Sequence, residues 1–265
     1  MGICSSQWRR IADGRVLRLI KLWLKSPVEE RDGAGRGRRT GGKKSTRGTP
    51  QGGVISPLLA NIYINRLLRH WRATGASERL GRIVSYADDF VILCRSQRQA
   101  RESLVLVSRW VARLGLTIHP DKTRLRWVWN EPFDFLGYTF RSFERTHIGQ
   151  RVLTAVPAKK AQRRIKEKVN TLLYRGNPTP WPELREKLNR LLAGWANYFS
   201  FGWTAGADGA LWWHTYQRVR RFLCKRHRLP AQGSSRFSVA EVYGPVGVLD
   251  LPRYRKRRRA AHAVS

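Results

Sequence analysis

Two adjacent aspartates, Asp88 and Asp89, lie between two short apolar runs of the sequence, residues 82–85 and 90–94. The runs predict a β-hairpin with both carboxylates at its tip. Mg²⁺ prefers hard oxygen ligands and is often held by one or two carboxylates together with substrate phosphates. Two such ions can clamp the attacking and leaving oxygens of a phosphoryl transfer. Because Asp is also favoured in tight turns, the pair alone fits either a Mg²⁺ site or an ordinary turn.

The chain is strongly basic, with 52 Lys and Arg against 18 Asp and Glu and a formal net charge of +34. Such a charge destabilises a compact state by self-repulsion unless a polyanion neutralises it, which favours nucleic acid as the partner. The sequence has no apolar run long enough to cross a bilayer and no signal-peptide pattern, so we expect no membrane partner and a cytoplasmic location. Its 3 cysteines and 6 histidines are scattered, without the spacing of a zinc site or a disulfide framework.

Residues 1–145 mix helical and strand patterns, which predicts an α+β domain. Predicted helices cover residues 8–25, 54–72 and 97–114, and predicted short strands beyond the hairpin cover residues 116–119, 125–129 and 135–140. Residues 75–81 break the pattern. Residues 29–53 are rich in Gly, Arg, Lys, Thr and Ser, which predicts a basic flexible loop that a polyanion could order.

Beyond Pro157 the pattern becomes all-helical, and residues 150–230 are predicted to form a small bundle. Thr179 and Pro180 resemble a helix start. Three stripes of apolar residues at helical spacing define the expected core: Ile165, Val169, Leu172 and Leu173; Leu184, Leu188, Leu191, Trp195 and Tyr198; and Trp212, Tyr216, Val219 and Leu223. Residues 231–265 end in an arginine block, which predicts a basic tail that stays disordered until it meets an anion.

Several short motifs follow one another in an order that resembles the motif series of reverse transcriptases. They are Gly48-Thr49-Pro50-Gln51-Gly52-Gly53, Ser56-Pro57-Leu58-Leu59-Ala60-Asn61, Tyr86-Ala87-Asp88-Asp89, Gly115-Leu116 with Pro120-Asp121-Lys122-Thr123, and Phe135-Leu136-Gly137-Tyr138. Leu188-Asn189-Arg190 and Gly194-Trp195-Ala196-Asn197-Tyr198-Phe199 resemble the maturase-specific segment of the group II intron-encoded members. The resemblance implies a partial reverse-transcriptase palm followed by an α-helical thumb and maturase bundle.

The resemblance implies that Asp88 binds the catalytic Mg²⁺ ions directly and that Asp89 is its less directly involved neighbour. Lys122 corresponds to a lysine proposed to protonate the leaving pyrophosphate, although a solvated loop lysine explains it equally well. The residues around the template, primer end and incoming nucleotide would be Gln51, Gly52, Gly53, Ser56, Pro57, Asn61, Tyr86 and Ala87. An ordinary Gly-rich turn remains the alternative for the glycines. Phe135, Leu136, Gly137 and Tyr138 would form the primer grip, unless they are packed strand residues.

Polar and basic positions in the second half are predicted to contact RNA: Lys159, Lys160, Arg163, Arg164, Arg190, Asn197, Arg255, Lys256 and Arg257. Neutralised phosphates release counterions, which favours binding over the alternative of a solvated tail. The 11 tryptophans could stack on unpaired bases. Trp195, Tyr198 and Trp212 lie on apolar faces, however, so core packing is favoured for these three.

Two-metal polymerase chemistry needs a further carboxylate, which in this family lies upstream of the Gln-Gly-Gly loop. Asp13 lies within a predicted helix and Asp32 within the predicted loop, so neither fits that role. We therefore expect a reverse transcriptase with a maturase role in RNA splicing, with little polymerase activity of this chain alone. It could be an N-terminally truncated copy, one half of a split enzyme completed by an upstream polypeptide, or a non-catalytic splicing cofactor. The expected partners are group II intron RNA, an RNA/DNA template-primer and dNTPs.

Overall fold

A computed structural model describes residues 13–25, 27–31, 37–41, 56–87, 89–113, 115–145, 149–229 and 235–263 of the chain. The chain forms two compact units, Met1–Leu125 and Arg126–Ser265. The division lies before residue 145, where the sequence pattern placed its boundary. None of the helices within the described ranges is long and apolar enough to span a membrane.

Among its described residues, the first unit contains four helices: α1 (Gly14–Lys25), α2 (Ser56–Ala73), α3 (Ala76–Arg79) and α4 (Gln97–Arg113). The longer three confirm the predicted helices, whereas the short α3 lies within the predicted break. Asp13 was predicted to lie within the first of these helices, and that prediction is wrong, because Asp13 precedes α1 and caps its start. Its carboxylate accepts a hydrogen bond from the backbone N–H of Arg15. The core of the unit consists of Leu67, Trp71, Ala76, Leu80 and Val107.

Two strands, β1 (Pro27–Arg31) and β2 (Gly37–Gly41), pair antiparallel where the sequence predicted a flexible loop. Their register sets Glu29 opposite Arg39 and Glu30 opposite Arg38. The predicted loop is therefore wrong for residues 29–31 and 37–41, and the rest of residues 29–53 lies outside the described residues.

The predicted hairpin is confirmed as β3 (Arg82–Tyr86) and β4 (Asp89–Leu93), a two-stranded antiparallel sheet. Gly81, which precedes β3, has a positive φ of 153°. A Cβ atom at this position would lie 2.3 Å from the carbonyl oxygen of Leu93. A glycine therefore allows the close approach of the two chain segments at the open end of the hairpin.

The predicted strands at residues 116–119 and 125–129 are wrong, because the structure has turns and irregular chain there. The backbone N–H of Lys122 bonds to the carbonyl oxygen of His119 at 3.2 Å, and that of Asn130 bonds to the carbonyl oxygen of Trp127 at 2.9 Å. Neither segment pairs with another strand within the described ranges. An apolar run becomes a strand only when a partner satisfies its backbone groups.

The second unit begins with a three-stranded antiparallel sheet of β5 (Phe133–Phe135), β6 (Tyr138–Arg145) and β7 (Gln150–Pro157), in that order. The single strand predicted over residues 135–140 is therefore wrong, and β7 was not predicted. The chain turns at Leu136 and Gly137, whose φ values are 50° and 75°. Two successive positive φ values are typical of the type I′ turn, which matches the twist of a hairpin.

Helices α5 (Lys159–Leu172), α6 (Trp181–Tyr198) and α7 (Ala205–Arg226) confirm the predicted bundle. Tyr198 was predicted to lie in the core and is instead 57% exposed, while Leu192 is fully buried. The buried stripe of α6 is turned slightly from the predicted one, because Trp195 and Ala196 face the core in its last turn and Tyr198 does not. Thr179 does not cap α6; its backbone N–H bonds to the Asn177 side chain instead. The core comprises Ile165, Val169, Leu173, Leu184, Leu188, Leu192, Trp195, Leu211, Tyr216, Val219 and Leu223.

The predicted disordered tail is wrong over most of its length, because the structure contains α8 (Val239–Tyr243) and α9 (Leu251–Ala263) there. Val242, Val248 and Leu251 are buried in the bundle core. The hydroxyl of Ser238 caps α8 by accepting a hydrogen bond from the backbone N–H of Glu241. Apolar contacts with the bundle thus hold a segment whose charge alone favours disorder.

Candidate nucleic-acid interface

The tip of the β3–β4 hairpin carries the motif in which the sequence placed the catalytic carboxylates. Tyr86 ends β3 and pairs in register with Asp89, the first residue of β4. Tyr86 is 65% exposed and Asp89 is also exposed. Ala87 has a φ of 51°, a left-handed conformation that is uncommon outside glycine. The turn thus presents an aromatic ring and a carboxylate to solvent, while Asp88 lies outside the described residues.

The other residues predicted around the template and nucleotide are only partly within the described ranges. Gln51, Gly52 and Gly53 lie outside them. Ser56, Pro57 and Asn61 occupy the first two turns of α2, where Ser56 is half-buried and the other two are exposed. Their roles as nucleotide contacts remain predictions.

Lys122 lies on the exposed turn that follows α4. The imidazole of His119 and the carboxylate of Asp121 on the same turn are 3.9 Å apart. An exposed lysine on a turn fits both explanations that the sequence left open, and its role as a proton donor remains a prediction.

The residues predicted as the primer grip form the tight β5–β6 turn, which packs against the end of α6. The Tyr138 hydroxyl donates to the carbonyl oxygen of Tyr198 at 2.9 Å, and the Tyr198 hydroxyl donates to the carbonyl oxygen of Leu136 at 2.8 Å. The rings of Tyr138 and Phe199 meet edge to face at 4.9 Å. Phe135 and Leu136 are half-buried, and Gly137 is exposed. The two hydrogen bonds therefore fix the turn to the bundle. A primer grip needs a turn held in place in this way, and that role remains a prediction.

Burial raises the pKa of the Tyr138 hydroxyl above its ordinary value, and the hydrogen bond from the Phe201 backbone opposes this effect. The raised pKa keeps the hydroxyl protonated, which preserves its donation to the Tyr198 carbonyl oxygen. The contact between the sheet and α6 is thus unaffected by charge on Tyr138 near neutral pH.

The first predicted RNA contacts, Lys159, Lys160, Arg163 and Arg164, lie exposed on α5. Arg163 also lies 3.7 Å from Glu167, one turn further along the helix. Ile165 and Val169 are buried on the opposite side. The helix is therefore basic outside and apolar inside, as a phosphate-binding face of the bundle would require, and RNA contact remains a prediction.

Arg255 was predicted to contact RNA, yet its side chain is only 12% exposed and forms an ion pair with the buried Asp208. One guanidinium nitrogen also donates to the carbonyl oxygen of Ala196 at 3.0 Å. Asp208 further accepts the indole N–H of Trp195 at 3.0 Å. This burial argues against the predicted phosphate contact, because the guanidinium is used within the bundle. Lys256 and Arg257, the next residues of α9, are exposed.

Asn197 and Arg190 lie exposed on α6. The Asn197 side-chain oxygen accepts hydrogen bonds from the Tyr254 hydroxyl at 3.1 Å and from Arg258, both on α9. Arg190 lies 3.5 Å from Glu186 and lines an open cleft beside Leu249. Asn197 therefore holds α9 in place, and RNA contact by either residue remains a prediction.

Sequence reasoning missed an exposed aromatic loop that joins α6 to α7. Its exposed large rings are Tyr198, Phe201 and Trp203, which are 57%, 70% and 52% exposed, whereas Phe199 is buried in the core. The Trp203 ring lies 4.9 Å from that of Phe143 on β6. The sequence contains one signal for this loop. Phe201 and Trp203 come after the apolar stripe of α6 has ended, so helical periodicity gives no reason to place them in the core. We call residues Tyr198–Trp203 the aromatic loop.

A metal site can be tested only against the part of the chain that the structure describes. Within that part, no group of three or more His, Cys, Asp and Glu side chains is placed to hold a metal ion. The Asp89 carboxylate is nevertheless a donor of the type that Mg²⁺ prefers, and it is exposed at a hairpin tip. Mg²⁺ binding at this hairpin remains a prediction, because Asp88, the other carboxylate that it would need, lies outside the described residues.

Two family matches cover most of the sequence. The family described as reverse transcriptase (RNA-dependent DNA polymerase) matches residues 5–140, and the group II intron, maturase-specific domain matches residues 162–238. The first match alone covers more than half of the 265 residues. The chain therefore belongs to the reverse transcriptase family, in the group whose members are encoded by group II introns and carry a maturase domain.

Individual relatives agree with this placement. Protein YkfC of Escherichia coli (strain K12) is 28% identical over 186 residues, covering 58% of this chain and 46% of the relative. An uncharacterized 91 kDa protein in the cob intron of Schizosaccharomyces pombe is 24% identical over 225 residues, covering 58% of this chain and 28% of the relative. A retrovirus-related Pol polyprotein from the type-1 retrotransposable element R1 of Nasonia vitripennis is 34% identical over 82 residues, covering 29% of this chain and 23% of the relative. The chain thus spans less than half the length of each.

Proposed function

We propose that the chain supplies the catalytic hairpin and the thumb of a group II intron RNA-directed DNA polymerase, and that its bundle also assists splicing of the intron RNA. The observation that carries this proposal is the β3–β4 hairpin, which presents an exposed Tyr86 and Asp89 at its turn. The net charge of +34 supports a polyanionic partner. The substrates would be dNTPs and an RNA/DNA template-primer.

In this proposal Asp88 and Asp89 hold Mg²⁺, which when bound supplies the positive charge that stabilises a phosphoryl transfer. The left-handed turn at Ala87 precedes β4, whose first residue, Asp89, is exposed. The exposed ring of Tyr86 lies opposite Asp89 in the register and provides an apolar surface for the sugar or base at the primer end. The basic faces of the bundle neutralise the phosphates of the bound strands.

We further propose that the site needs a carboxylate from another segment. Within the described ranges β3 and β4 pair only with each other, and Val84, Tyr86 and Leu93 are exposed. An open sheet edge beside exposed apolar side chains is suited to pairing with a further strand. That strand and its carboxylate would come from another segment of the same kind of polymerase.

Primer extension on an RNA template with dNTPs and Mg²⁺ tests this proposal. We expect little extension by the chain alone and recovery when an upstream fragment from a related reverse transcriptase is added. Asp88→Ala should then reduce the recovered rate by at least about 100-fold, because a charge-stabilising group aimed at the reacting phosphate is lost. Glu78→Ala, which removes an exposed carboxylate from α3, is the matched control and should leave the rate unchanged. Extension by the chain alone that Asp88→Ala does not alter would contradict the proposed catalytic site.

A second candidate function is that of a non-catalytic splicing cofactor. It is favoured by the helical unit, which has its own extensive core and exposed basic side chains on α5 and α9. Such a cofactor would bind intron RNA with an affinity that falls steeply as salt rises, and would accelerate splicing equally well with Asp88→Ala. Primer extension separates the two functions: a polymerase gives extension with the added fragment that Asp88→Ala abolishes, whereas a cofactor supports splicing but gives no extension with or without that fragment.

A further inference from the structure

The aromatic loop is ordered by hydrogen bonds to the neighbouring sheet, although the rings of Tyr198, Phe201 and Trp203 are exposed. The backbone N–H of Trp203 donates to the carbonyl oxygen of Ala155 at 2.8 Å, at the edge of β7. A Cβ atom on Gly202 would lie 2.1 Å from that same oxygen, so the loop and the strand are in close contact. The Phe201 backbone N–H donates to the Tyr138 hydroxyl at 3.4 Å. The exposed rings thus sit on a fixed backbone.

Exposed aromatic rings on a fixed loop need an explanation, because apolar side chains of this size are usually buried. Singly exposed apolar residues are normal on protein surfaces. Here three large rings are exposed within six residues of sequence, which is a cluster rather than a scatter. Clusters of this kind mark surfaces that bind a partner or ligand.

A basic helix, α9, is attached to α6 at the residue that precedes the aromatic loop. Arg258 and Tyr254 on α9 both bond to Asn197, the residue before Tyr198. The inward side of α9 also carries Arg255, which bonds to Ala196. The outward side carries Lys256, Arg257 and Arg259, all exposed. Helix α9 is therefore fixed to the end of α6, where the aromatic loop begins, and it carries exposed cations on its outward side.

We propose that the aromatic loop and the outward side of α9 together bind unpaired nucleotides of single-stranded nucleic acid. Phe201 and Tyr198 would stack on bases, while Lys256 and Arg257 bind the phosphates that join them. Aromatic stacking beside a positive surface is the common way in which proteins bind single strands, because every base offers a flat face. An anionic partner with apolar faces fits this pair of features better than an acidic peptide, whose side chains offer no flat faces for stacking. The inference rests on the proposed nucleic-acid function and assigns the residues that grip the unpaired strand.

Fluorescence anisotropy with a labelled oligo(U) of about 12 nucleotides tests the proposal, within the usual range of single-strand site sizes. The same measurement with oligo(dT) shows whether RNA or DNA is preferred, and both results support the inference. Phe201→Ala should weaken binding by roughly 10-fold through the loss of one stacked base. Phe201→Trp should restore binding because it keeps a flat ring. Tyr174→Ala, which removes another half-exposed ring of the same unit, is the matched control and should bind as the unchanged chain does.

The salt dependence separates stacking from charge. Phe201→Ala should leave the slope of log K against log salt unchanged. Lys256→Ala with Arg257→Ala should reduce its magnitude by about 1.4, since each phosphate contact to a single strand contributes about 0.7. Binding of an RNA duplex should be unaffected by Phe201→Ala, because paired bases cannot stack on the loop.

Two outcomes would overturn the inference. If Phe201→Ala binds oligo(U) as tightly as the unchanged chain, the loop does not contact bases, although binding of intron RNA elsewhere would leave the proposed function intact. If Phe201→Ala weakens single-strand and duplex binding equally, or Phe201→Trp fails to restore binding, the residue acts on folding and the stacking role is wrong. Circular dichroism of each variant shows whether the bundle remains helical.

Discussion

The ion pair between Asp208 and Arg255 should be the most sensitive point of the helical unit. Both side chains are almost entirely removed from solvent, and the same carboxylate accepts the indole N–H of Trp195. Removing one partner of a buried pair leaves the other charge without compensation, which costs about 3–5 kcal/mol. We therefore expect Asp208→Ala to lower the free energy of unfolding by about that amount. Because a domain has only about 5–15 kcal/mol in total, a large part of its stability would be lost.

Urea unfolding followed by helical circular dichroism measures this loss. A double-mutant cycle with Arg255→Met gives the sharper result, because the double variant buries neither charge. We expect the double variant to regain most of the stability that Asp208→Ala loses, since replacing a buried pair by apolar side chains is often neutral or stabilising. Glu186→Ala provides the control: it removes the exposed pair with Arg190, where the side chains are 3.5 Å apart, and should cost at most about 1 kcal/mol.

The reasoning would be refuted if Asp208→Ala were no more destabilising than Glu186→Ala. It would also be refuted if the costs of Asp208→Ala and Arg255→Met simply added, because uncoupled costs mean that the two charges do not depend on each other. Limited trypsin digestion provides a second measurement. Loss of the pair should release α9 and expose its arginines to cleavage while the rest of the bundle remains protected.

Two further predictions concern pH and backbone geometry. Burial lowers the pKa of His214 below its ordinary 6.5, and the positive charge of Lys166 acts in the same direction. The unfolded chain therefore binds the proton more readily than the folded chain. The stability contributed by neutral His214 is complete above about pH 6.5 and falls as the pH drops towards the folded-state pKa. His214→Gln should flatten the change in urea midpoint between about pH 7.5 and about pH 5.5, and an unchanged slope would contradict this. Gly202→Ala should destabilise the unit by about 1–3 kcal/mol, because the added carbon meets the Ala155 carbonyl oxygen at 2.1 Å and the residue has a φ of 73°. The control Gly206→Ala, where nothing lies within 4 Å, should be neutral or slightly stabilising in thermal unfolding, and equal losses in both variants would rule out the clash.

Local pattern predicted the elements whose apolar residues repeat within one segment. The hairpin around Asp89 and the helices of the bundle follow this rule, because spacing alone defines the face that each element buries. Strands whose own residues show no repeating pattern were harder to predict from the sequence. The strand β7 is identified by its pairing with β6, where Phe140 faces Ala155 and Phe143 faces Val152. Nothing within either strand alone specifies that register.

The residues of the candidate interface were predictable where a role follows from the order of the sequence motifs. They were less predictable where the role of a residue depends on a contact with a residue far away in the sequence. Arg255 looks like any other member of the arginine block, and only Asp208, 47 residues earlier, makes it a buried residue. Tyr198 continues the apolar stripe of α6, yet the helix ends there and its ring faces solvent. The sequence predicted that Arg255 contacts RNA and that Tyr198 packs in the core. In the structure the arginine is buried in the bundle and the tyrosine is exposed.

The buried pair also bears on how the bundle would bind a strand of nucleic acid. A basic segment that is disordered before binding pays about 1–2 kcal/mol of backbone entropy for each residue it orders on the ligand. In this chain Arg255 fixes α9 to α6 and α7 before any ligand arrives, so Lys256 and Arg257 are already exposed on an ordered helix. The entropy cost of ordering is then met during folding, and more of the phosphate attraction remains for binding. It follows that Asp208→Ala should weaken binding of oligo(U) even under conditions in which the bundle stays folded, because α9 must then be ordered by the strand itself. Equal affinity in that variant would show that the outward cations of α9 bind without being held in place.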